Sequence, residues 1–92
     1  MNYYALIYHL MDDYMIRRAQ FREEHLKLAK ELNERGEMIL AGAFSDPPDK
    51  SLLIFRVADK SVIEDFVKND PYVKNGLIAK WEIRAWTVVI GN

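Results

Sequence analysis

Apolar and polar positions change their spacing several times along the chain, and each change marks an element. Residues 3–10, YYALIYHL, are apolar at both parities, with Tyr3, Ala5 and Ile7 alternating with Tyr4, Leu6, Tyr8 and Leu10. A short β-rich run of that kind predicts a strand covered on both faces. From Asp12 or Asp13, either of which can cap a helix, the spacing turns helical and holds to about Arg35, where Gly36 supplies the residue that often ends one. EMILAGAF (37–44) and SLLIFRVA (51–58) read as two more strands, joined across a DPPD turn. A second helix begins at Asp59 or Ser61, with Ser61 and Glu64 at capping-box spacing, and must stop by Asp70 because Pro71 follows. The last strand runs from about Trp81 to Ile90.

The order βαββαβ predicts an α+β, ferredoxin-like fold in one domain spanning residues 1–92: a four-stranded antiparallel sheet with two helices on one face. Two helices cover only that face. The first, third and last strands nevertheless carry apolar residues at both parities, Leu52 and Ile54 beside Leu53 and Phe55, Trp81 and Ile83 beside Trp86 and Val88. An uncovered apolar sheet face marks an interface, so the chain is expected to form a homodimer through its sheets.

Composition narrows the partners. A chain of 92 residues buries a little over ~60% of its unfolded surface, which makes a partner's contribution to stability valuable. Thirteen basic against fourteen acidic residues, with no block of like charge, offer nothing to a nucleic acid. No apolar run is long enough to span a bilayer, and the opening MNYYALIYHLMDD has no basic leader or cleavage pattern, so it reads as a strand rather than a signal peptide. The absence of cysteine points to the cytoplasm and closes off thiol chemistry.

Acid–base chemistry near neutral pH then falls to two histidines, His9 and His25. At about 100° per residue, Phe21, Leu28, Ala29 and Leu32 all lie within about 60° of His25, which places it in the apolar stripe of the first helix, bordered by Arg18 and Arg22. In this fold the end of the second helix approaches the first half of the first helix, bringing Asp70 toward His25 and Arg22. Two readings of Asp70 stand here. Its carboxylate can hold one imidazole nitrogen and free the other for proton transfer, or it can bond the backbone after Pro71 as a turn cap. For His25, the corresponding alternative to catalysis is a core residue bonded to one carbonyl.

The segments RxxHL (Arg22, His25, Leu26), LAG (Leu40–Gly42) and NDPYVxxGL (Asn69–Leu77) together resemble the YciI-like family of the dimeric α/β-barrel superfamily, in the family's order and over the whole chain. The resemblance implies a ferredoxin-like fold, pairing of protomers through their sheets, and a histidine/aspartate pair at the centre of an active site. Carried onto this chain, the pair is His25 and Asp70, with Arg22, Tyr8, Gly42, Ser51, Pro71 and Tyr72 around the substrate. It implies a small-molecule enzyme of lyase or isomerase type, akin to the dehydrochlorinases and dehalogenating isomerases among the family's relatives, working without metal or organic cofactor. Three features depart from the family pattern: Ala43 stands where a proline often follows the glycine, Lys50 precedes Ser51 where glycine is usual, and the SDPPD loop is short. All three bear on substrate identity.

A different class fits the same residues: a non-catalytic dimeric module that binds a metabolite or regulates a neighbouring domain. A cofactor-free monooxygenase or haem-handling protein would have only His9 as a spare ligand. His9 itself reads as a packing residue near a strand end. The two histidines lack the closely spaced acidic companion of a zinc or iron site. Neither a phosphate-binding glycine loop nor a nucleophilic serine motif is present. Tyr3, Tyr4 and Tyr8 on the first strand could line a hydrophobic ligand pocket, core packing being the more common fate of strand aromatics, and Trp81 and Trp86 read as interface or core residues.

Overall fold

The computed structural model describes residues 1–91. Strands β1 (Asn2–Leu10), β2 (Met38–Ala43), β3 (Lys50–Val57) and β4 (Ile78–Trp86) alternate with helices α1 (Tyr14–Glu34), α2 (Ser61–Asn69) and the short α3 (Pro71–Lys74). The strands form one antiparallel sheet in the order β2-β3-β1-β4, the ferredoxin-like arrangement expected of this element order, with α3 as one addition to it.

Register assigns the faces. Tyr4, Leu6 and Tyr8 of β1 stand opposite Phe55, Leu53 and Ser51 of β3 and share the face beneath the helices. There they pack with Ala29 and Leu32 of α1 and Ile63, Phe66 and Val67 of α2 in the main core. Leu6, Phe55 and Ile63 are wholly buried, each contributing about 1.5–3 kcal/mol by leaving water. Ala5, Ile7, Leu52 and Ile54 occupy the opposite face, which no helix covers.

Local chemistry sets the helix ends, in places differently from expectation. Asp13 stands at the start of α1 but caps it only through its backbone carbonyl, which accepts from Ile16 and Arg17; its carboxylate instead lies 3.7 Å from Arg17. At the other end Gly36, at φ 76°, takes the left-handed conformation that closes α1, with Gly36 N–H bonding Asn33 O and Glu37 N–H bonding Leu32 O. The capping box at Ser61 and Glu64 does not form: Asp59 accepts from both the backbone and the hydroxyl of Ser61, so Asp59 organises the start of α2. These bonds hold the Asp59 carboxyl below its ordinary range.

The last strand also departs from its expected limits of Trp81 to Ile90. It starts at Ile78, because Leu10 of β1 offers a partner there, and ends at Trp86 opposite Tyr3, because β1 has almost no chain left to pair. The β-branched segment Thr87–Ile90 has strand propensity, but a strand needs a neighbour.

Candidate active site

Asp70 occupies the joint between α2 and α3. Pro71 forces it out of the helical region, to φ −70° and ψ 119°, and then begins α3 at the position proline favours. As the last residue against α2, a carboxylate would meet the negative end of a helix dipole; as the first against α3, it accepts the Tyr72 backbone N–H at 3.0 Å. The turn contact and a contact to His25 are made at once. The same oxygen, Oδ1, accepts from His25 Nδ1 at 2.8 Å, and Oδ2 accepts the Tyr8 hydroxyl at 2.7 Å.

Three donors from β1, α1 and α3 thus converge on a carboxylate with no exposure to solvent. A charge can remain in that setting because its lone pairs are taken by oriented donors. Burial, above all, pushes the Tyr8 hydroxyl far above the ordinary tyrosine range, and the adjacent Asp70 charge and hydrogen bond act in the same direction. Tyr8 is therefore a fixed donor to Asp70.

His25 is held in orientation as well as position. Its ring stacks on Tyr72 with centroids 3.9 Å apart and planes 9° apart, while Phe66 meets it edge-on at 6.3 Å. With Nδ1–H given to Asp70, the remaining nitrogen, Nε2, has no hydrogen-bond partner among the described residues and is not sealed from solvent. Tyr72 is itself packed edge-to-face on Tyr14 at 5.6 Å. Burial raises the Tyr72 hydroxyl to about 12, Tyr14 adding to the effect and Arg22 opposing it.

A cleft of about 260 Å³ opens over His25. Its floor is Tyr8, Ser51 and Leu53 of the sheet; one wall is α1, through Arg18, Arg22, His25 and Ala29; the other is the edge strand β2 at Ala41, Gly42 and Ala43. Of the residues singled out from the sequence, His25, Arg22, Tyr8, Gly42, Ser51 and Tyr72 line this cleft, and Asp70 lies beneath it.

Pro71 does not reach the cleft. It is buried at the start of α3, where its ring restrains the Asp70 backbone. Gly42 contributes backbone only, since a Cβ there would share the open sheet face with Leu52 and meet nothing within 4 Å. Tyr14 and Arg18, not among the expected substrate-binding residues, also line the cleft. The signal was present, because 14, 18, 22, 25 and 29 follow one helical stripe.

His9 lies on the other face of the sheet, 3.6 Å from Glu82, with Nε2 buried and unbonded. The two histidines therefore cannot meet at one ion. Among the described residues, no three His, Cys, Asp or Glu side chains gather as a metal site.

The family model for the YCII-related domain matches residues 1–87. The chain belongs to the YCII-related family. Solved structures share its fold at low identity. A 5-chloro-2-hydroxyhydroquinone dehydrochlorinase from Burkholderia phenoliruptrix, complexed with 2,5-dihydroxybenzoquinone, superposes with a TM-score of 0.76 at 19% identity, covering 92% of this chain and 93% of that one. A NIPSNAP family protein from Agrobacterium tumefaciens gives 0.62 at 15% identity, covering 96% and 92%. A proposed antibiotic biosynthesis monooxygenase from Deinococcus radiodurans gives 0.59 at 12%, covering 100% and 96%. No curated protein matches the chain by sequence. Among the described residues of this YCII-related chain, no helix is long and apolar enough to cross a membrane.

Proposed function

We propose that this YCII-related protein is a cofactor-independent small-molecule enzyme of lyase or isomerase type, with His25 as its acid–base group and Asp70 orienting it. One observation carries the reading: His25 Nδ1 is locked 2.8 Å from a fully buried carboxylate while Nε2 remains open to the cleft. An imidazole whose N–H is given away at Nδ1 presents a bare lone pair at Nε2, the arrangement a general base requires.

In the reaction proposed, Nε2 removes a proton from a carbon next to a carbonyl. The C–H electron pair becomes the new π bond, and either a halide departs with its bonding pair or the proton returns at another carbon. The imidazolium formed is stabilised by the Asp70 charge, and Arg22 at the rim steadies the enolate oxygen. Ser51 offers a hydroxyl on the floor, Gly42 backbone on one wall, and Tyr72 a ring that fixes the imidazole. Tyr8, on the floor of the cleft, and Pro71, behind it, act on Asp70. Likeness in fold to a dehydrochlorinase supports this reading at the level of reaction class.

The protein is further proposed to act in the cytoplasm as a homodimer, a second copy covering the sheet face that holds Ile7, Leu52, Ile54 and Leu40. Leu40 and Trp86, 71% and 49% exposed, would be withdrawn from water there.

Chlorinated hydroquinones and related phenolic substrates test the catalytic reading, with chloride release and ring absorbance as readouts. His25→Asn is expected to keep ligand binding and lower turnover by roughly 10²–10⁴-fold, the usual contribution of a positioned base. Equal turnover in the variant would remove His25 from the chemistry. Binding without turnover in the wild type would assign the domain to the metabolite-binding class instead.

A further inference from the structure

The cleft is more cationic than the chain that builds it. The whole sequence carries a formal charge of −1, yet Arg18 and Arg22 both line the cleft and no aspartate or glutamate does. Among the described residues, the ion pairs of arginine are Arg17 with Asp13 and Arg35 with Glu37. Neither Arg18 nor Arg22 forms an ion pair with an acidic side chain among the described residues. Their neighbour Arg17, by contrast, is committed to the protein, donating to Asn75 O at 2.7 Å as well as meeting Asp13. Arg18 lies over the Tyr14 ring, 5.9 Å from its centroid, which holds the guanidinium by its face and leaves its donor edge available.

Two unpaired guanidinium groups in a partly enclosed cleft focus a positive field on whatever enters. Their spacing is set by the helix: four residues apart, they lie on one stripe with their Cβ atoms about 5–6 Å apart, and His25 follows Arg22 by a rise of about 4.5 Å. The cleft volume of about 260 Å³ lies just under the usual range for ligand sites and suits a molecule of one ring. The wall opposite α1 is the extended Ala41–Gly42–Ala43 backbone with at most methyl side chains, and Tyr72 presents a ring. A cleft walled by bare strand backbone and an aromatic ring suits a flat molecule.

We infer that the substrate is a small planar dianion, a ring or conjugated chain bearing two carboxylate or enolate-type oxygens about one helical turn apart. Arg22 takes the anionic group beside the carbon that faces His25, and Arg18 takes the distal one. Arg18 is thereby a specificity residue that selects two charges over one. The inference rests on the cleft being the ligand site proposed above, but it concerns binding rather than catalysis.

Benzoate and terephthalate, which share a ring and differ by one carboxylate, are the probes, with affinity measured by calorimetry on the wild type, Arg18→Gln, Lys30→Gln and His25→Asn. Terephthalate is expected to bind at least about tenfold more tightly than benzoate, the size of one charge-assisted hydrogen bond. Arg18→Gln should remove that advantage and leave benzoate unchanged. Lys30→Gln, outside the cleft, should alter neither. Equal affinities in the wild type, or equal weakening of both probes in Arg18→Gln, would overturn the two-site reading in favour of one anion shared by both guanidiniums. If His25→Asn retains the terephthalate preference while no substrate is turned over by the wild type, the enzyme reading fails and the dianion site stands.

Discussion

The buried hydrogen bonds to Asp70 yield a quantitative prediction. Tyr8→Phe deletes one hydroxyl from a residue that is 1% exposed, leaving the ring in place and Asp70 Oδ2 without its 2.7 Å donor. Losing a hydrogen bond to a buried charged group costs about 1.5–3 kcal/mol. Asp70→Asn costs more, about 2–4 kcal/mol, because the oxygen that meets His25 and the Tyr72 N–H loses its charge and the new NH₂ faces the Tyr8 hydroxyl, which must turn from donor to acceptor. The double variant should cost less than the sum by about 1 kcal/mol, since beside the neutral amide the Tyr8 hydroxyl gives up an ordinary hydrogen bond and not one to a charge. Urea unfolding at fixed protein concentration, followed by Trp81 and Trp86 fluorescence, reads these values. With a slope of about 1–1.5 kcal/mol per molar urea, Tyr8→Phe should lower the midpoint by about 1–3 M. A shift below about 0.4 M, or additivity of the two changes within about 0.5 kcal/mol, would refute the account of Asp70 as a charge held by three donors.

Stability should fall in alkali, because the unfolded chain releases tyrosine protons near pH 10 while burial retains them on Tyr8 and, to about 12, on Tyr72. Below about pH 10 both states are protonated and this stability is fully present. Above it the unfolded state binds fewer protons, and each residue removes up to about 1.4 kcal/mol per pH unit; unfolding midpoints measured from pH 9 to 12 should decline, and less steeply in Tyr8→Phe. Leu40→Glu and Trp86→Glu, both exposed on the uncovered sheet side, should convert a dimer to a monomer in size-exclusion chromatography with light scattering while leaving circular dichroism unchanged. A wild type that elutes as a monomer at all concentrations would overturn the dimer proposal.

Much of the fold is legible in the amino-acid order because the forces that write it are local. Spacing of apolar residues identifies β1, α1 and β3; Gly36 ends α1 through one backbone dihedral; and Pro71 ends α2 by denying Asp70 a helical conformation. The place of His25 in the apolar stripe follows from helix geometry alone. What the tertiary structure decided are relations between segments far apart in the chain. Tyr8 and Asp70 are separated by 62 positions and His25 and Asp70 by 45, so their convergence depends on strand register and on how α1 lies across the sheet. That convergence turns Tyr8 from a cleft residue into a fixed donor, makes Asp70 both turn cap and histidine clamp, and draws Arg18 into the site while leaving Pro71 outside it. The limits of β4 were likewise undetermined by propensity, because a strand ends where its partner does. Local spacing chooses elements, whereas the hydrogen-bond partners of a buried charge are chosen by packing.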